Sequence, residues 1–292
     1  MEIKKVGVIG CGLMGSGIAQ VCAEAGYDVV VREVKQKFLD KGLGNIGKIL
    51  SRNVEKGKIR EDRKNEILEK IKGTILLDDL KESDIIIEAA VEDLKVKQEL
   101  FSTLHKLCRK DTIFASNTSS LCITDIASTS RADRFLGLHF FNPVPVMKLV
   151  EVVRTIATSD DTFNRAFNFA KSIGKVPIAT KDNSGFIVNL LLLPYLLDAI
   201  RALEAGVGSV EDIDNGMKLG CGHPMGPFTL LDFVGIDTTY YIAEIMFKEY
   251  REKRYAPPPL LKRMVSMGYF GRKSGKGFYD YTKGDLPVVN IK

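Results

Sequence analysis

Residues 6–19 read VGVIGCGLMGSGIA, a glycine-rich turn set between an apolar run and the start of a helical pattern, and no other feature constrains the fold as much. Gly10 lets a strand turn sharply, Gly12 lets the backbone approach a pyrophosphate, and Gly15 lets the new helix pack on the strand it has left. With Leu13 and Met14 they form a phosphate cradle at a helix N-terminus, whose free N–H groups point at the anion. A G-x-G-x-x-G match alone is weak, because glycine-rich turns are common. Here the context supports it: residues 6–9 form a buried-type run, 18–25 continue as a helix ending at Gly26, and 28–32 form a second strand closing on Glu33. Glu33 lies 18 residues past Gly15, where a carboxylate meets the adenosine ribose diol of a dinucleotide. The same carboxylate repels a 2′-phosphate, so NAD is expected over NADP. Arg32 adjoins it, but strand alternation sends that side chain to the other face.

Strand patterns recur at 74–77, 85–89, 112–116, 135–139 and 149–153, with helical patterns at 94–107 and 123–128 between some of them. Such alternation implies an α/β fold with a Rossmann-like, doubly wound, mostly parallel sheet. From Gly185 onward the pattern is helical, with Ser209 capping a helix at 210–219, Gly220 stopping it, and Pro258 and Pro259 opening another that ends before Gly268. Two domains are expected at this length of 292 residues: 1–183 for the dinucleotide, and 184–292 as an all-helical domain. The apolar segment 186–197 falls short of the ~20 residues that span a membrane, and carries Asn189 and Pro194; a buried interface helix is expected.

The net charge of +5 resides in a helical excursion at 37–72, which holds 11 Lys/Arg and 6 Asp/Glu; the remaining 31 of each sign cancel. Lys48, Arg52 and Lys56 recur every four residues along one side of a helix whose other side carries Ile46, Ile49 and Leu50. Most charge-rich stretches are merely solvated faces, but a one-sided basic stripe suits a compact polyanion. Without interleaved aromatics, nucleic acid is not expected.

Five cysteines, an odd number without a C-x-x-C pair, read as reduced core thiols and point to a cytoplasmic protein. The first strand begins almost at Met1, so no targeting segment is expected. His105, His139 and His223 stand in no metal-ligand spacing, and no metal is expected.

In an open α/β sheet ligands bind beyond the carboxyl ends of the strands. His139, near the end of one expected strand, and Glu151, on the next, come within reach of each other. An arbitrary His–Glu pair is more often structural than catalytic. Above a dinucleotide site, an imidazole whose tautomer a carboxylate fixes suits general acid/base chemistry near neutral pH.

These segments resemble the L-3-hydroxyacyl-CoA dehydrogenase family, most closely its bacterial 3-hydroxybutyryl-CoA dehydrogenases. The resemblance runs nearly end to end: GVIGCGLMGSGIAQ, EAAVEDLKVK, ASNTSSL, LHFFNPVPVMKLVEVV, GFIVN, EDIDNGMKLG, HPMGPF and GRKSGKGFYDY. It departs at Leu190, where the family usually has arginine. It implies an N-terminal NAD domain, a helical C-terminal domain that serves the substrate and forms a homodimer, and reversible oxidation of a 3-hydroxyacyl-CoA. It further implies that His139 is the catalytic histidine, oriented by Glu151, and that Ser119 and Asn189 hold the reacting oxygen and acyl chain. By the same resemblance Glu92, Lys97, Ser119, Asn142 and Lys273 line the NAD site, and Arg52 and Lys56 meet the coenzyme A phosphates.

Overall fold

A computed structural model describes residues 2–282 and 288–289 and divides the chain into two compact units, Met1–Phe186 and Ile187–Lys292. In the first unit, β1 (Lys5–Ile9), α1 (Leu13–Glu24) and β2 (Asp28–Arg32) form the opening βαβ unit. Next come α2 (Gln36–Glu55), α3 (Glu61–Glu69), β3 (Ile71–Thr74), β4 (Ile85–Glu88), α4 (Leu94–Leu107), β5 (Ile113–Ser116) and α5 (Ile123–Ala127). β6 (Phe135–Phe140), β7 (Leu149–Arg154), α6 (Asp160–Ser172) and β8 (Val176–Lys181) complete it. The eight strands lie in the order β3-β2-β1-β4-β5-β6-β7-β8. β1 to β6 run parallel, and β7 returns antiparallel against β6 with β8 parallel beside it. The sheet is thus Rossmann-like and mostly parallel, with its topological switch where β1 meets β4.

Strands as apolar as IIIE in β4 and IFAS in β5, buried along their whole length, need helices on both faces. One face is covered by α1, α2 and α6 through Ile18, Leu39, Ile46, Leu50, Ala166 and Phe169. On the other, α4 and α5 pack Phe101, Leu104, Ile123 and Ile126 against Phe114 and Phe135.

Several expectations change. β3 occupies Ile71–Thr74, not 74–77, because Ile75 and Leu76 lie 43 % and 58 % exposed past its end. The helical excursion consequently ends with α3 at Glu69 rather than at residue 72. On α2 the buried side is Leu39, Gly42, Ile46 and Leu50, and Ile49, expected there, is exposed and shares the basic face. α6 and β8 were not anticipated.

The second unit holds α7 (Val188–Glu204), α8 (Val210–Cys221), α9 (Pro227–Val234), α10 (Ile236–Tyr250) and α11 (Pro259–Ser266). A two-residue antiparallel ladder, β9 (Tyr279–Asp280) with β10 (Val288–Val289), interrupts its helical character. Ser209 caps α8 in a reciprocal box with Asp212, and the helix runs on past Gly220 to Cys221, closing at Gly222 with φ +69°. Two buried carboxylates stitch this unit together. Asp214 accepts from the Phe228 and Thr229 amides at the start of α9, and Asp232 from the Phe278 and Tyr279 amides and the Tyr281 hydroxyl. Among the described residues no helix is long and apolar enough to cross a membrane.

Candidate active site

The glycine turn is built as its sequence requires. A Cβ on Gly10, whose φ is +94°, would stand 2.4 Å from the Ala89 carbonyl oxygen, and one on Gly15 would stand 1.9 Å from that of Gly10. Both glycines are therefore demanded by the protein itself. A Cβ on Gly12 would meet nothing within 4 Å. Gly12 precedes α1, whose first turn has no capping side chain and no acidic residue, so Leu13, Met14 and Gly15 begin a helix open to an anion. Space at the one glycine that packing leaves free is the cradle a pyrophosphate needs, and the residues fit NAD.

Glu33 lies just past β2, and its carboxylate is fixed from two sides. Oε2 accepts from the Cys11 amide at 2.9 Å and Oε1 from the Val34 amide at 2.6 Å. These two bonds hold the carboxylate against the glycine turn. Burial, reinforced by Glu33, pushes the Cys11 thiol up to about 11, which leaves it protonated and inert.

Further along the same sheet edge, His139 and Glu151 are direct cross-strand partners on β6 and β7. Nδ1 of His139 lies 2.7 Å from Oε2 of Glu151; the imidazole is 6 % exposed and the glutamate fully buried. A carboxylate at that distance favours the proton on Nδ1, which in the neutral ring leaves Nε2 as the acceptor. The ring is walled by Phe141 and Phe186, with centroids at 4.5 and 5.6 Å. Phe186 takes φ +50°, rare for a non-glycine residue, and its amide donates to the Asn183 carbonyl.

Ser119 lies in the turn after β5. Its amide approaches Glu92 Oε1 at 3.3 Å, and Glu92 also accepts from the Thr118 and Ser120 hydroxyls. Lys97 is only 1 % exposed and sits between Glu88 at 2.5 Å and Glu92 at 3.4 Å. Glu92, Lys97 and Ser119 therefore form one assembly. Asn142 is exposed in the loop after β6, which Lys175 anchors through the Val144 and Met147 carbonyls. Lys48, Arg52 and Lys56 are exposed, and none has an ion-pair partner among the described residues. In the second unit, Asn189 stands in the first turn of α7, and Lys273 pairs with Asp237 at 2.6 Å.

Sequence reasoning assigned no role to Glu88 or to Asn117. Asn117 Oδ1 accepts the Phe140 amide and so ties the Ser119 turn to the strand that carries His139. Glu88 had a visible signal, since it closes the apolar strand IIIE just as Glu33 follows VVVR.

Residues 5–183 match the model of the 3-hydroxyacyl-CoA dehydrogenase NAD-binding domain, and residues 185–281 that of the 3-hydroxyacyl-CoA dehydrogenase C-terminal domain. The chain is 47 % identical to a 3-hydroxybutyryl-CoA dehydrogenase of Clostridioides difficile, over 96 % of this chain and 100 % of that one. It is 51 % identical to the human mitochondrial hydroxyacyl-coenzyme A dehydrogenase, over 96 % of this chain and 91 % of that one. The crystal structure of (S)-3-hydroxybutyryl-CoA dehydrogenase PaaH1 from Ralstonia eutropha superposes with a TM-score of 0.93 at 44 % identity, covering 97 % of this chain and all of that one. An NAD cradle, a helical second unit and these matches along nearly the whole chain place it in the 3-hydroxyacyl-CoA dehydrogenase family.

Proposed function

We propose that the chain is an NAD-dependent dehydrogenase that interconverts (S)-3-hydroxyacyl-CoA and 3-oxoacyl-CoA, with the four-carbon pair 3-hydroxybutyryl-CoA and acetoacetyl-CoA as its main substrates. The names of the C. difficile and R. eutropha relatives support the substrate, and the latter the stereochemistry. The observation that carries the mechanism is the buried His139–Glu151 pair on the same sheet edge as the glycine turn.

NAD, when bound at Gly12, supplies the hydride acceptor for C3. Nε2 of His139 takes the proton of the C3 hydroxyl, and in the opposite direction returns it to the C3 oxygen. Glu151 keeps the Nδ1 proton in place and offsets the charge that develops on the imidazole. The hydroxyl of Ser119 donates a neutral hydrogen bond to the same oxygen. Phe141 and Phe186 exclude water from the imidazole, which strengthens each of these interactions. Arg52 and Lys56, with Lys48 one turn earlier, bind the 3′-phosphate and diphosphate of coenzyme A. A free hydroxy acid gives no use for such a stripe.

Large exposed apolar side chains of the second unit, Leu191, Val207, Leu219, Tyr241 and Met267, support a homodimer formed through that unit. Sedimentation equilibrium should return twice 32.4 kDa. The function itself is tested by following NADH oxidation with acetoacetyl-CoA, six- and eight-carbon 3-oxoacyl-CoAs and the corresponding free acids, and repeating the series with NADPH. Fastest turnover with acetoacetyl-CoA and NADH is expected. Turnover of the free acids alone would refute the proposal.

A further inference from the structure

Glu88 closes the central strand β4 beside the topological switch, and it is fully buried. A buried carboxylate must be paired and hydrogen-bonded, and Glu88 is engaged on both oxygens. Oε1 accepts from Lys97 Nζ at 2.5 Å and from the Ala90 amide at 2.7 Å; Oε2 accepts from the Ser116 hydroxyl at 2.6 Å. Two arms lead from it to the turn that carries Ser119. One is short: Ser116 Oγ accepts the Thr118 amide at 3.2 Å. The other passes through Lys97 to Glu92, which receives the Thr118 and Ser120 hydroxyls and the Ser119 amide.

Two carboxylates share one ammonium here, so the position of Glu92 depends on Glu88. With Glu88 holding Lys97 at 2.5 Å, Glu92 stays with Oε2 at 3.4 Å from the lysine and keeps Oε1 on the turn. Without that charge Lys97 has only Glu92 to neutralise it, and a closer pair draws Glu92 away from residues 118–120. The turn then moves, and Ser119 moves with it. The Glu92 side chain is 34 % exposed, so the network is open to solvent at Glu92 and closed at Glu88.

We propose that Glu88 is a positioning residue for the dehydrogenase reaction, setting Ser119 through Ser116 and, through Lys97, holding Glu92, which is read as lining the NAD site, against the same turn. The proposal rests on the reading that Ser119 holds the reacting oxygen. It makes cofactor affinity and the placement of that oxygen properties of one buried network rather than of two sites.

Glu88→Gln preserves shape but removes the charge and turns a donor toward Ser116. Ser116→Ala cuts only the short arm and leaves the Glu88–Lys97 pair intact. For Glu88→Gln, the NADH Kd by fluorescence titration should rise at least about fivefold. Its kcat with acetoacetyl-CoA should fall at least about tenfold while KM stays within about threefold, since small displacements of a positioning group cost rate before they cost binding. For Ser116→Ala, kcat should fall several-fold with the NADH Kd within about twofold of the parent. A residue that served stability alone would lower Tm and leave the kcat of folded enzyme unchanged. Should Glu88→Gln fail to fold, Ser116→Ala decides alone. A kcat within about twofold of the parent in every variant that folds would overturn the proposal. A parent that never turns over acetoacetyl-CoA would instead refute the function.

Discussion

The glycine turn allows a test in which two substitutions of the same type, three residues apart, have opposite consequences. In Gly12→Ala the new Cβ meets no protein atom within 4 Å, and the φ of −73° is one any residue adopts. Alanine is a poorer N-cap than glycine, but it also lowers the entropy of the unfolded chain; these effects oppose each other, and stability should change by no more than about 1 kcal/mol. In Gly15→Ala the Cβ would lie 1.9 Å from the Gly10 carbonyl oxygen and 2.8 Å from its carbon, so backbone must shift. Overpacking of that kind costs about 1–3 kcal/mol. The effects on cofactor follow a different order. On the proposed placement of NAD at Gly12, the Cβ occupies the space of the pyrophosphate and removes at least one close amide contact; a hydrogen bond to a charged group contributes about 1.5–3 kcal/mol, or roughly 10- to 100-fold in Kd. Thermal melts and NADH titrations on both variants check this: Gly12→Ala should melt with the parent and bind NADH weakly, and Gly15→Ala should melt early. Parent-like NADH affinity in Gly12→Ala, or equal losses of stability in the two, would refute the reasoning.

Replacing Arg52 and Lys56 together with alanine should raise KM for acetoacetyl-CoA by about tenfold at low salt with little change in kcat, and the difference should shrink at high ionic strength. Steady-state kinetics at two salt concentrations measure it; an unchanged KM reduces the stripe to a solvated face. In the second unit, burial pushes Asp232 up to about 6, against the pull of the Tyr279 and Phe278 amides and the Tyr281 hydroxyl and with help from nearby Asp214. A carboxyl whose folded pKa is raised loses its proton first in the unfolded chain, so ionisation favours unfolding as pH climbs from about 4 to about 6. The contribution is on the order of 3 kcal/mol by neutral pH. Denaturant unfolding at pH 4.5 and 6.5 should show somewhat over half of that fall in the parent and its loss in Asp232→Asn; an unchanged pH dependence in the variant would contradict the assignment.

The first βαβ unit was legible in the sequence because each local signal agrees: a buried run, three glycines with separate duties, and a carboxylate at the right distance. β3 was misplaced because TILL is apolar through a stretch whose last residues lie outside the sheet, at the edge where ligands enter. β8 escaped notice because an outer strand with few buried side chains and a proline gives little alternation to read. α6 carried a readable signal, with Ser159 capping it and Asp160 and Asp161 in its first turn. At the candidate site, His139 and Glu151 stood out as chemistry-bearing residues, but only the antiparallel return of β7 makes them register partners. Glu88 was hidden because its meaning depends on Lys97, Ser116 and Glu92, which three separate segments bring together.

The most direct test of the account is the turnover of acetoacetyl-CoA with NADH by His139→Gln. Glutamine keeps a polar side chain opposite Glu151 but cannot carry the proton, and general acid/base catalysis is worth about 10² to 10⁴ in rate. We expect kcat to fall within that range with the NADH Kd within about twofold of the parent. Retention of most of the parental kcat would contradict the claim that this imidazole moves the proton.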